Sequence, residues 1–312
     1  MKRDFLSLAD VSPEEIERIL TMASELKRRQ KGGLVPPFLA GKTLVLLFHK
    51  PSLRTRTSFE VGAYQLGGFT TYMHDQEIGM GVREPMRDLG RVLSRYYDGI
   101  VIRTFAHDLL TELAEASSVP VINGLTDLVH PCQILSAFQA LSEHFGRLKG
   151  LHIAYVGDGN NVANSWLLGA AQMGLALTIA CPRTHRPDTN IVAQAQVIAE
   201  ATGAALDIVE DPKQAVKGVD AIYTDVWASM GQEEEAEARR EIFRPYQVNS
   251  ELLAETPSHT VVMHCLPAHR GEEITDEVFE GPRSLVFDEA ENRLHAQKAL
   301  MTFLLAPEAR LA

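Results

Sequence analysis

The sequence predicts an α/β protein made of two doubly wound parallel-sheet domains. Two observations carry this. Short runs that are apolar throughout, such as Thr43-Leu-Val-Leu-Leu-Phe48, alternate with stretches of helical spacing. Such runs suit strands buried on both faces, and the alternation implies a parallel sheet covered by helices. The alternation also begins twice, with a join near Phe145–Gly150, and 312 residues suit two domains at about 150 each.

The elements follow in order. Ser12, Pro13 and Glu15 form a capping box with Pro at the first helical position, and Ile16, Ile19, Leu20 and Ala23 recur at helical spacing. Gly32-Gly33 and Pro36-Pro37 end that helix. After the strand at 43–48, a helix is expected from Ser58 to Leu66, stopped by Gly67-Gly68. Residues 69–73 read as a strand, 87–97 as a helix, and 99–103 and 120–123 as strands. Pro131 opens a helix running to about His144. The second series has strands at 151–156, 176–180, 205–209, 219–224, 261–264 and 284–287. A helix follows the first of these strands, another spans about 190–202, and a last one runs from Asp288 to about Leu305.

Composition narrows the function. Hydrophobic residues make up 45% and charged residues 23%, which excludes a disordered or fibrous chain. Thirty basic against 41 acidic residues leave a net charge of −11. That sign is wrong for a general binder of nucleic acid or anionic membrane. A bound anion therefore needs a local group of arginines. Cys132, Cys181 and Cys265 show no metal-ligand spacing, and an odd count argues against a disulfide framework. No signal-like segment and no apolar stretch of about 18 residues is evident, so a cytoplasmic protein is expected. The run Glu233–Glu241 reads as a solvated helix or loop.

Ligands of open α/β sheets bind beyond the carboxyl ends of strands, and five polar clusters fall there. Ser52-Leu53-Arg54-Thr55-Arg56-Thr57 precedes a helix, where unpaired N–H groups, hydroxyls and guanidiniums together suit a phosphate. Arg103 ends a strand. His130 and Gln133 flank a helix start, with Cys132 between them as a packing residue. Gly157-Asp-Gly-Asn-Asn161 departs from a dinucleotide fingerprint, because Val162 stands where the third glycine belongs. Its asparagines suit either a polar substrate or a tight turn. Asp225, with Ser229 and Met230, and His264-Cys-Leu-Pro267 form the fifth cluster. Asp225 suits an ammonium group, and Cys265 reads as a binding residue rather than a covalent nucleophile.

These stretches resemble signatures of the carbamoyltransferase family. Phe48-His-Lys-Pro-Ser-Leu-Arg-Thr-Arg-Thr-Ser-Phe-Glu60 is similar to its carbamoyl phosphate loop, and His130-Pro-Cys-Gln133 to its second signature. Asp225-Val-Trp-Ala-Ser-Met-Gly231 and His264-Cys-Leu-Pro267 look like the ornithine-specific signatures, and Val286–Gln297 also matches. The resemblance implies a carbamoyl phosphate domain at 1–147, an ornithine domain at 148–287, and a C-terminal helix at 288–312 packing back on the first. It implies carbamoyl transfer to the ornithine δ-amine, giving citrulline and phosphate, in arginine biosynthesis. It implies a homotrimer, or a multiple of trimers, with sites at subunit interfaces and neither metal nor organic cofactor.

The resemblance also assigns roles. Ser52, Arg54, Thr55 and the Leu53 N–H would hold the phosphate, with Arg293 reaching the same ligand. Arg103, His130 and Thr55 would polarise the carbamoyl carbonyl, and Gln133 would hold the carbamoyl NH2. Asn161, Asp225, Ser229 and Met230 would bind the amino acid end of ornithine. Cys265, counted with the catalytic group, and the Leu266 carbonyl would surround the δ-amine beside carbamoyl phosphate. Two positions depart from the family. Leu53 replaces a usual Thr, and Gly79 aligns with a Gln that relatives lend to a neighbouring subunit; Gln76 is a candidate substitute. Putrescine and N-acetylornithine are the alternative acceptors. Aspartate would call for cationic side chains in the second domain.

Overall fold

In the computed structural model, which describes residues 2–228 and 233–309, the chain divides into two compact units. The first comprises residues 1–139 with 291–312, and the second residues 140–290. The division falls inside the helix Pro131–Phe145.

The first unit holds a four-stranded parallel sheet in the order β2-β1-β3-β4. Its strands are β1 (Thr43–Phe48), β2 (Phe69–His74), β3 (Gly99–Arg103) and β4 (Val121–Leu125). The chain steps from β1 outward to β2, then crosses back to β3 on the other side. The switch point therefore lies between β1 and β3, where Phe48 pairs with Arg103. Leu44 to Phe48 are all buried, so both faces of the strand are covered. Val45 and Leu47 point to one face by the two-residue period and join Ile100, Ile102, Leu110 and Leu113 in one core.

The second unit holds a five-stranded parallel sheet in the order β7-β6-β5-β8-β9. Its strands are β5 (His152–Val156), β6 (Ala176–Ala180), β7 (Ala205–Val209), β8 (Ala221–Thr224) and β9 (Val261–His264). Here the reversal falls between β5 and β8, so the turns after those strands open side by side. Val156, Ile222, Val262, Trp227 and Phe243 pack into its core.

Four expectations need correction. The helix expected from Ser58 begins at Leu53, because Ser52 caps it by accepting the Thr55 N–H at 3.2 Å. Thus Arg54 and Thr55 lie in a first helical turn rather than a loop. The helix expected at 87–97 is shorter, Met86–Leu93. A helix at His107–Ala116, unassigned from sequence, supplies Leu110 and Leu113 to the core. Residues 284–287 are not a strand. Ser284 makes one isolated bridge to Val262, and the last helix already starts at Val286 and runs to Leu305. No helix among the described residues is long and apolar enough to cross a membrane.

Candidate active site

The first unit gathers cations at its switch point. Ser52 caps the helix Leu53–Gln65, whose N-terminus presents N–H groups and a positive dipole end. Arg54 is half-buried in the first turn, whereas Leu53 is exposed. Arg56 is taken up elsewhere: it pairs with Glu60 at 2.9 Å and covers the Tyr72 ring at 3.7 Å. Arg103 is buried at the end of β3, with its carbonyl accepting the His49 N–H at 2.9 Å.

His130 is buried just before the helix Pro131–Phe145. Burial, and then Arg293, Arg103 and Arg54, hold its imidazole well below the ordinary 6.5. At neutral pH the ring is uncharged and has one N–H to donate. Arg54, Arg103 and Arg293 all act on this imidazole, a local positive influence in an acidic chain.

Arg293 comes from the last helix and is almost fully buried. Its guanidinium donates to Gln133 Oε1 and, at 3.1 Å, to Thr55 Oγ1. Thr55 is an acceptor in that bond, so its own proton points elsewhere and can be donated. Gln133 Oε1 has a second lone pair for another donor. Sequence reading missed the group that holds Arg293. Ser58 Oγ donates to the Arg54 carbonyl, so toward Gln297 it must accept. The Gln297 amide nitrogen therefore faces Ser58, and its oxygen accepts from Arg293 Nη2 at 2.9 Å and Nε at 3.2 Å. Thus Ser58 and Gln297 lock the arginine fork.

Gly79 ends the short helix Asp75–Ile78 with φ +63°. A Cβ there would also sit 3.0 Å from Arg83 Cβ, so the turn favours glycine. Gln76 lies exposed on that helix.

The second unit gathers acid, amide and thiol at its own switch point. Asn160 caps the helix Asn161–Met173 with Oδ1, which also accepts from Tyr155 OH at 3.1 Å. Its Nδ2 donates to Asp225 Oδ2 at 2.8 Å, joining the turn after β5 to the turn after β8. Asp225 Oδ1 accepts from the Val226 N–H at 2.8 Å and from the Cys265 thiol at 2.7 Å. Asn161, the expected ligand, stands in the first helical turn, while its neighbour Asn160 makes the bond to Asp225. Ser229 and Met230 lie outside the described residues.

His264, the last residue of β9, borders this cluster. Its Nε2 lies 3.0 Å from Glu273 Oε1, both side chains fully buried, and its Nδ1 accepts the Leu266 N–H at 2.8 Å. Asp225, His264 and Cys265 bring ligand atoms within 4.8 Å of one another, the spacing of a cation site. Both nitrogens of His264 are already engaged, so the trio is poorly suited to a metal. The other thiols are inert packing groups, with burial pushing Cys132 and Cys181 up to about 12.

A second feature escaped sequence reading. Arg239, inside the acidic run, is buried. It donates to Asp158 at 3.0 Å, to the Trp227 carbonyl at 3.0 Å and to Glu235 at 3.1 Å. Burial raises the Asp158 carboxyl to about 6, against the opposing pull of Arg239.

Two family profiles match the chain in succession. The carbamoyl-P binding domain of aspartate/ornithine carbamoyltransferase matches residues 3–143, and the Asp/Orn binding domain residues 149–304. The chain belongs to the aspartate/ornithine carbamoyltransferase family. Within that family it is 52% identical to an ornithine carbamoyltransferase of Carboxydothermus hydrogenoformans, covering 97% of both chains. It is 51% identical to one of Thermococcus kodakarensis, covering 97% of this chain and 96% of the other. The solved ornithine carbamoyltransferase of Pyrococcus furiosus superposes with a TM-score of 0.95 at 47% identity, covering 98% of this chain and 97% of that one.

Proposed function

We infer that this chain transfers the carbamoyl group of carbamoyl phosphate to the δ-amine of L-ornithine, giving L-citrulline and phosphate. Family membership and full-length similarity to ornithine carbamoyltransferases support the reaction. The observation that carries the acceptor reading is the chemistry of the second switch point. Asp225, Asn160 and a thiol suit an amine-bearing substrate. The arginine buried there, Arg239, is engaged with Asp158 rather than offered to a second carboxylate.

In this reading residues 1–147 form the carbamoyl phosphate domain and 148–287 the ornithine domain, with 288–312 returning to the first. The helix N-terminus at Leu53, with Ser52, Arg54 and Thr55, takes the phosphate, and Arg293 reaches the same ligand. Gln133 Oε1 takes the carbamoyl NH2. Attack by the neutral δ-amine on the carbamoyl carbon builds negative charge on its oxygen. Arg103, neutral His130 and Thr55 donate to that charge as an oxyanion hole does. The carbon–oxygen bond to phosphate then breaks, and the proton of the new nitrogen passes to the departing phosphate, which the guanidiniums stabilise. Asp225 binds the acceptor's α-amine, with Asn161, Ser229 and Met230 completing that end. Cys265 and the Leu266 carbonyl border the δ-amine. No enzyme nucleophile is required, because the substrate carries its own. The protein acts in the cytoplasm, in arginine biosynthesis, as a homotrimer or a multiple of trimers with sites at subunit interfaces. Sedimentation equilibrium tests that assembly.

The activity test offers carbamoyl phosphate with L-ornithine, putrescine, N-acetylornithine or aspartate in parallel. Citrulline from ornithine, with the other acceptors unreacted, is expected. Preferred turnover of another acceptor would overturn the reading of Asp225.

A further inference from the structure

We propose that His107 and Thr126 form a positioning pair that pins the stretch after Arg103 to the stretch before His130, neither residue touching substrate. The proposal rests on the reading of Arg103 and His130 as the groups that meet charge on the carbamoyl oxygen. Four observations carry it. First, the sheet ladder breaks just where these two stretches leave it. Ile102 pairs with Asn123 but Arg103 pairs with Leu125, so β4 gains one residue, Gly124, at the last rung. Such a bulge disrupts the ladder and re-aims the side chains beyond it. Second, bonds outside the regular ladder take over. The Thr104 N–H donates to the Leu125 carbonyl at 3.0 Å, and the Asp127 N–H to the Phe105 carbonyl at 2.9 Å.

Third, Thr126 closes the turn that leads into His130. Its N–H donates to the Val129 carbonyl at 3.0 Å, and its Oγ1 accepts the Val129 N–H at 3.3 Å. Fourth, that same buried hydroxyl lies 3.0 Å from His107 Nδ1. His107 opens the helix His107–Ala116, and Ala106 before it gives no side-chain cap. The imidazole therefore ties the start of this helix to the turn ahead of His130. Burial holds the ring below the ordinary 6.5, against the opposing pull of Asp10 and Asp108. A neutral ring carries one bare nitrogen and one N–H, so either tautomer can bond the hydroxyl.

The test separates positioning from folding. His107→Leu fills the half-buried position but offers no nitrogen. It is expected to lower kcat about ten- to hundredfold, the scale of misplaced reacting groups. The KM for either substrate should stay within about twofold. His107→Asn keeps a polar atom close to the Nδ1 position and should recover most of kcat. Thr126→Ser keeps the hydroxyl and should stay near the parent, whereas Thr126→Val should lose at least as much as His107→Leu. The double variant His107→Leu with Thr126→Val should be no worse than Thr126→Val alone, because one bond is lost once. Unchanged kcat in His107→Leu, or losses that multiply in the double variant, would overturn the proposal. If Thr126→Val does not fold, His107→Asn as impaired as His107→Leu would overturn it equally. His130→Ala is the control for the underlying reading. If it leaves kcat unchanged, the group that polarises the carbonyl is misassigned. If it lowers kcat while the His107 variants do not, the positioning pair alone fails.

Discussion

Gln297 shows how a residue acts without meeting substrate. It holds Arg293, whose fork reaches Gln133 and Thr55, so the residues proposed to bind carbamoyl phosphate are cross-braced by the last helix. Replacing Gln297 by Leu leaves a buried guanidinium short of two acceptor contacts. Lost hydrogen bonds to a charged group are worth about 1.5–3 kcal/mol each. The expected outcome is an increase of about tenfold or more in the KM for carbamoyl phosphate, with the ornithine KM unmoved, measured by initial rates. Equal increases in both constants would contradict it. Part of this was legible in the sequence. Ser52, Arg54, Thr55, Arg103, His130 and Gln133 fall at strand ends or helix starts, where polar residues stand out against apolar runs. Gln297 and Arg239 do not stand out, and Asn160 stands out only together with Asn161, as a substrate contact or a turn residue. A glutamine inside a helix and an arginine within a charge run both have ordinary surface readings. Only distance to a distant residue reveals their work.

Elements set the precision of these residues. The turn after β5 illustrates why sequence left two readings open for Gly157–Asn161. A Cβ on Gly159 would lie 2.3 Å from the Pro187 nitrogen and 2.6 Å from the His185 carbonyl oxygen. Backbone cannot yield as a side chain can, so Gly159→Ala should destabilise by about 1–3 kcal/mol or more, the cost of overpacking. Denaturant titration measures it, and an unchanged midpoint would contradict it. The glycine is there for close approach, while Asn160 both caps the helix and bonds Asp225. Turn chemistry and site chemistry therefore coincide.

The last helix gives a prediction in pH. Lys298 is fully buried and donates to Gln30 and Gln65. Burial lowers its ammonium from 10.5 to about 8. Between those values the unfolded chain binds more protons than the folded one, so stability should rise with pH there. The Tm difference between the parent and Lys298→Met should shift in favour of the parent from pH 8 toward 10.5. A constant difference would contradict it. At this scale, sequence reading misplaced ends more than elements. The sequence pattern starts at Ser58 a helix that Ser52 caps, and it reads Ser284–Phe287 as a strand because a short apolar run has no period of its own. The helix His107–Ala116 was readable from Leu110, Leu113 and Ala114 yet lay between two stronger strand signals.

Across the whole molecule the two parallel sheets repeat one principle. Each reverses strand order once, and each opens its polar cluster at that reversal. The first cluster is cationic and the second is acid, amide and thiol. The net charge of −11 makes the cationic cluster a local exception, built from Arg54, Arg103 and Arg293. This division of labour was legible early, because strand-end residues of opposite chemistry sorted by half of the chain. The most direct test measures both Michaelis constants for Arg54→Met and Asp225→Asn side by side. The account predicts a crossed pattern. Arg54→Met raises the constant for carbamoyl phosphate about tenfold or more and spares ornithine, and Asp225→Asn does the reverse. If each variant raises both constants alike, or if the pattern is exchanged, the assignment of one substrate to each sheet is wrong.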